Sequence, residues 1–164
     1  MCCGILIAMS IFDKKFDSVR NDWITPDSVF LPLNEEFGFT CDLAAAEDNK
    51  KCFSYFGKSD NGLIQEWKGV CWLNPPYGEK GSKLVDWIKK AYNSCQEDAS
   101  LSVVMLIPAR TNTKWFRDYC MKAAEIRFII GRPKFVGCKH GLPQPLMIVV
   151  FKKSAKCAIS SFTL

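Results

Sequence analysis

Histidine is almost missing from this chain: His140 is the only one among 164 residues. That leaves a Cys/His zinc site poorly supported, because such sites combine both residue types at fixed spacings. The nine cysteines do not fill the gap. None forms a C-x-x-C pair; Cys2 and Cys3 are adjacent, and the others are scattered among apolar residues. An odd number at irregular spacing predicts reduced, mostly buried thiols in a cytosolic chain, and no metal. Long apolar runs are missing too. The opening stretch from Met1 to Met9 is apolar, but far short of the roughly 20 residues of a membrane helix. It has no basic flank of the kind a secretory signal carries, and Met9 is an alternative initiator. Repeats, low-complexity tracts and internal linkers are also absent, so the length predicts one domain with a real core.

What is present is ordinary globular composition, 48% hydrophobic and 24% charged. The net charge of +5 is a mild excess, compatible with a polyanionic partner but not diagnostic of one.

The most informative stretch is Cys71-Trp72-Leu73-Asn74-Pro75-Pro76-Tyr77-Gly78. Val70 to Leu73 reads as a short buried strand, broken at once by two prolines that supply no ladder donors. Such a strand end projects a polar side chain, rigid carbonyls and an aromatic ring from the sheet's carboxyl edge, where open α/β sheets bind ligands. Asn74 and Pro75 offer acceptors and Tyr77 a flat face. Together they suit a planar amine, held by two N–H bonds with its ring stacked. A proline turn with a core tyrosine is the plainer reading. The amphipathic helix that follows favours the functional one.

Taken in order, residues 10 to 22 are polar and read as an arm. Thr25 then Pro26 is a helix-start signature. Val29, Phe30, Leu33 and Phe37 share one face of the helix that follows, and Pro32 predicts a bend or break in it. Phe37 to Asp42 reads as the first strand. Ala44 and Ala45 then leave room for a ligand to approach the backbone, as glycines do in nucleotide-binding folds. Asp42 is either a site for a cationic group or a helix cap. Residues 45 to 52 read as a helix and Cys52 to Phe56 as a second strand, followed by a polar turn containing Asp60 and Asn61. Asp42 and Asn74 are 32 positions apart. A βαβ unit takes about 30, so the sheet must be short on this side.

Beyond the motif, Ser82 is a candidate cap for a helix with the stripe Leu84, Trp87, Ile88, Ala91, Tyr92 and Cys95. Leu101 to Ile107 reads as a buried parallel strand. At its carboxyl end Thr111 or Thr113 caps a further helix. Arg110, Lys114 and Arg117 cluster there, as a solvated face or as phosphate contacts. Ile126 to Ile130 and Leu146 to Phe151 are the remaining strands. The loop with Lys139 and His140 reads as solvated, and the residues after Lys152 as a peripheral tail.

Asn74 to Tyr77 looks like the Asn-Pro-Pro-Tyr motif of S-adenosylmethionine-dependent amino-methyltransferases, which act on DNA, RNA or protein glutamine. More broadly, the chain resembles the small phage- and prophage-type Dam-like DNA N6-adenine methyltransferases. The resemblance spans roughly residues 20 to 151 and rests on several segments. Before the motif these are Trp23-x-Thr25-Pro26, Asp42 to Ala45 with Asn49, and Asn61-Gly62-Leu63. After Asn74 to Tyr77 come Leu106 to Phe116, and Ile126 with Gly131 to Phe135.

It implies an α/β, Rossmann-like methyltransferase fold, reduced in size, mostly parallel with antiparallel C-terminal strands. A domain over 20–152, an arm over 1–19 and a tail over 153–164 are expected. It also implies S-adenosylmethionine as cofactor, DNA with a flipped adenine as partner, and a bacterial or phage-infected cytoplasm. Asn74, Pro75, Pro76 and Tyr77 would form the catalytic loop. Trp23, Thr25, Pro26, Asp42, Ala44 and Ala45 would surround the cofactor, with Asp60 the candidate for its ribose. Arg110, Thr111, Lys114, Arg132 and Lys134 would meet DNA. Asp42 lacks the glycine-rich partner loop of larger methyltransferases, and the absence of a large target-recognition domain predicts weak sequence selectivity. RNA or protein glutamine as acceptor, or a non-catalytic nucleic-acid-binding module, are the competing readings.

Overall fold

In the computed structural model, residues 24–77, 83–135, 144–153 and 156–164 are described. Alternation of apolar residues along the central strand organises everything else. In β4 (Ser102–Pro108), Val103, Met105 and Ile107 enter one core cluster, while Val104 and Leu106 enter another on the opposite face. A two-residue side-chain period buried on both sides requires covering layers above and below the sheet. Those layers are α1 (Asp27–Phe37) on one face, and α2 (Leu84–Glu97) with α3 (Lys114–Asp118) on the other.

The other strands are β1 (Cys41–Asp42), β2 (Ser54–Tyr55), β3 (Val70–Leu73), β5 (Glu125–Ile130), β6 (Leu146–Phe151) and β7 (Ala158–Thr163). They form one seven-stranded sheet in the order β2-β1-β3-β4-β6-β5-β7. Only β6 runs antiparallel to its neighbours β4 and β5. The remaining pairs are parallel, so the expected mostly parallel, Rossmann-like sheet is what forms. One strand, β2, lies beyond β1, in keeping with the short span between Asp42 and Asn74.

Several expectations need correction. Phe37 ends α1 and does not open a strand, because Gly38 takes the left-handed conformation (φ 66°) and its N–H bonds the Asn34 carbonyl at 2.9 Å. Pro32 does not split α1; it sits on the exposed face of the helix. Residues 45–52 form turns, not a helix. Residues 153–164 are more than a tail, since β7 pairs with β5 over six positions. The cap of α3 is Thr113, whose hydroxyl accepts from the Phe116 N–H at 3.4 Å. Ser82 lies outside the described residues.

Helix α1 is held to the sheet by Val29, Phe30 and Leu33, each buried and contributing about 1.5–3 kcal/mol. Phe30 meets the Trp72 ring edge-on at 5.5 Å. Arg127 on β5 adds a two-pronged ion pair to Glu36, at 2.5 and 2.6 Å. Because Thr25 and Pro26 immediately precede α1, these contacts also fix their position.

Close packing at Gly62 fixes the turn after β1. A Cβ there would lie 2.4 Å from the Leu43 carbonyl and 3.1 Å from the Trp87 ring. Gly62→Ala should therefore destabilise the protein by about 1–3 kcal/mol through overpacking against backbone. Urea unfolding would show it, and an unchanged midpoint would mean that the turn yields freely.

Candidate active site

The chain leaves β1 outward to β2, then returns to β3 on the other flank of β1. The crevice at the carboxyl ends of β1 and β3 is thus the switch point where such sheets take ligands. Asn74 follows β3 directly and Leu43, Ala44 and Ala45 follow β1. The same edge carries Arg110, Thr111 and Lys114 after β4. It carries Arg132 and Lys134 as well, because two antiparallel steps through β6 leave β5 pointing the same way as β4. All five of these side chains are exposed. The fold therefore places the described residues read from the sequence on one edge. Trp23, Lys139 and His140 lie outside the described residues.

Asn74 is gripped at both ends. Its Nδ2 donates to the Thr25 hydroxyl at 3.1 Å, and its Oδ1 accepts from the Tyr77 hydroxyl at 2.9 Å. The Tyr77 hydroxyl lies equally close, 2.9 Å, to the Leu106 carbonyl of β4. One phenolic proton faces two acceptors. The sequence explains why: β3 stops at Leu73, and Pro75 and Pro76 carry no N–H to pair with β4. The Tyr77 phenol supplies a donor the prolines cannot. Burial pushes its pKa far above the ordinary phenol value, so it remains protonated. The half-buried ring packs against the α2-side core.

Thr25 does not cap α1: Pro26 occupies the cap position and no side chain caps the helix. Asp42 is buried, and both its oxygens accept backbone N–H groups, from Ala44 at 3.3 Å and Lys51 at 3.0 Å. Burial raises its pKa to about 6, against the lowering effect of those two bonds and the Lys51 charge. Asp42 thus shapes the loop from 43 to 51. Asp60 bonds the Gly57 N–H at 2.7 Å in the exposed turn beyond β2. The roles of Tyr77's hydroxyl, the Leu106 carbonyl and Gly62 were not read from the sequence. Only the proline pair hinted at the first two.

Among the described residues no group of three or more metal-ligating side chains occurs, and no helix is long and apolar enough to cross a membrane. The six described cysteines are unpaired, and burial pushes Cys71, Cys95 and Cys120 up to about 12. They are inert thiols.

A family model described as DNA N-6-adenine-methyltransferase (Dam) matches residues 13–161. The chain belongs to the Dam family. A DNA N-6-adenine-methyltransferase of Escherichia phage T1 is 37% identical over 117 residues, covering 69% of this chain and 46% of the phage protein. One of Haemophilus phage HP1 is 32% identical over 152 residues, covering 87% of this chain and 83% of its own length. The chain thus spans about half the length of one Dam relative and most of the other. The match reaches beyond β6 into β7 and takes in that strand as far as Ser161.

Proposed function

We propose that this protein transfers a methyl group from S-adenosylmethionine to the N6 amine of adenine in DNA. The observation that carries the reading is the gripped Asn74 at the end of β3, in a chain of the Dam family. The residues fit the cofactor by placement. Small Ala44 and Ala45 leave the turn after β1 open to close approach beside Asn74, with Pro26 on the facing wall. Asp60, held through one oxygen, has a second for a ribose hydroxyl. Asp42 acts by holding that loop, since its oxygens are engaged. When bound, S-adenosylmethionine supplies an electrophilic methyl on its sulfonium.

The protein's part is to make a poor nucleophile attack. The N6 lone pair is delocalised into the adenine ring. Asn74 Oδ1 has a second lone pair beyond the one facing Tyr77, so it accepts one N6 hydrogen while the Pro75 carbonyl accepts the other. These bonds strengthen as positive charge grows on N6, so they favour the transition state over the ground state. No covalent bond to the enzyme forms. The exposed part of the Tyr77 ring stacks on the base, which leaves the duplex at a cost of a few kcal/mol. Arg110, Lys114, Arg132 and Lys134 contact phosphates, which carry affinity but little sequence information.

The test is methyl incorporation from labelled cofactor into unmethylated DNA, bulk RNA and protein in parallel. Label in DNA alone is expected. Label confined to RNA or protein would transfer the same chemistry to another acceptor, and loss of cofactor binding would leave a non-catalytic module.

A further inference from the structure

Among the described residues only two polar side chains are buried, Asp42 and Thr25. Asp42 is explained by the loop it ties. Thr25 is not explained by helix capping, and burying a hydroxyl is costly unless it is hydrogen-bonded. Its partner is Asn74, 49 residues away, through Nδ2 at 3.1 Å. We propose that Thr25 is a positioning residue for methyl transfer, fixing the plane of the Asn74 amide so that Oδ1 faces the acceptor amine. The inference rests on the methyltransferase reading of Asn74.

The covalent chain alone does not set that plane, because the terminal torsion of asparagine is broad. Thr25 bears on it at the nitrogen end and Tyr77 at the oxygen end. Tyr77 is anchored in turn by the Leu106 carbonyl. With the Thr25 hydroxyl gone, Nδ2 loses that acceptor and the amide is held less firmly at its nitrogen end. Small displacements of a reacting group of about 1 Å are enough to cost around a hundredfold in rate. This differs from a cofactor-wall role, which would act on binding and not on turnover.

The experiment compares Thr25→Val, which keeps the shape, with Thr25→Ser, which keeps the hydroxyl. Thr25→Val should lower kcat about 10- to 100-fold with both KM values within about threefold, and Thr25→Ser should stay within about threefold throughout. A raised KM for S-adenosylmethionine with unchanged kcat in Thr25→Val would make Thr25 a pocket wall and overturn the proposal. So would equal losses in the two variants that track thermal stability. A second readout is independent of activity: the Asn74 side-chain amide signals in ¹⁵N NMR, assigned by their loss in Asn74→Ala. They should exchange slowly with water in the native protein and in Thr25→Ser, and faster in Thr25→Val. Unchanged exchange would overturn the proposal. If the native protein methylates no DNA, the function reading fails, while the NMR comparison still decides whether Thr25 holds Asn74.

Discussion

Asn74→Ala is expected to lower methyl transfer by at least about 10³-fold while leaving S-adenosylmethionine binding within a few-fold. The asymmetry follows from position. Asn74 sits at the end of β3, with its amide between Thr25 and Tyr77, and the small residues offered to the cofactor lie on the neighbouring strand end. Removing the amide deletes one of two acceptors for the N6 hydrogens, and so removes stabilisation that appears mainly in the transition state. It also frees the Tyr77 hydroxyl to donate wholly to the Leu106 carbonyl, so the loop keeps its anchor on β4. Turnover and cofactor affinity, measured by initial rates and calorimetry, separate the two effects. Equal losses in both would mean that Asn74 supports the pocket as a whole.

The second large effect is expected at Asp42. Asp42→Ala leaves the N–H groups of Ala44 and Lys51 without acceptors, at about 1–3 kcal/mol each, partly offset by removing a desolvated charge. The loop that carries Ala44 and Ala45 should loosen, weakening cofactor binding about tenfold or more. The charge also has a signature in pH. Burial raises the folded carboxyl to about 6, above the value of about 3.9 in an unfolded chain, so the folded state holds the proton more tightly. The stability this confers is complete below pH 4 and is lost as pH rises to 6, roughly 3 kcal/mol in all. Asp42→Asn does not titrate. Its deficit against the native protein should therefore be larger at pH 4.5 than at pH 7 in urea unfolding. A deficit that grows with pH would mean that the two N–H bonds and Lys51 outweigh burial.

How far the fold could be read in advance followed the strength of the apolar pattern. Residues 70–73 and 146–151 are strands with the predicted bounds, since both are continuous apolar runs buried on each face. The α2 stripe put Trp87, Ile88, Ala91 and Cys95 in the core. Residues 45–52 misled because side chains there take over the backbone donors a helix needs. Asn49 Oδ1 accepts from Ala46 N–H at 2.6 Å, and Asp42 reaches the Lys51 N–H. The strand β7 was hidden by its exposure at the sheet edge, which demands little hydrophobic alternation. Thr25 was legible as a residue but not in its role: a threonine before a proline signals a helix start, while its actual partner is distant in sequence.

The most direct test of the account is nucleoside mass spectrometry of unmethylated DNA after incubation with the native protein and labelled S-adenosylmethionine. The label is expected on adenine N6, and absent when Asn74 is alanine. Label on cytosine N4 would keep the amine chemistry of Asn74 and contradict the adenine assignment. DNA without label, from protein that still binds the cofactor, would contradict the central claim outright.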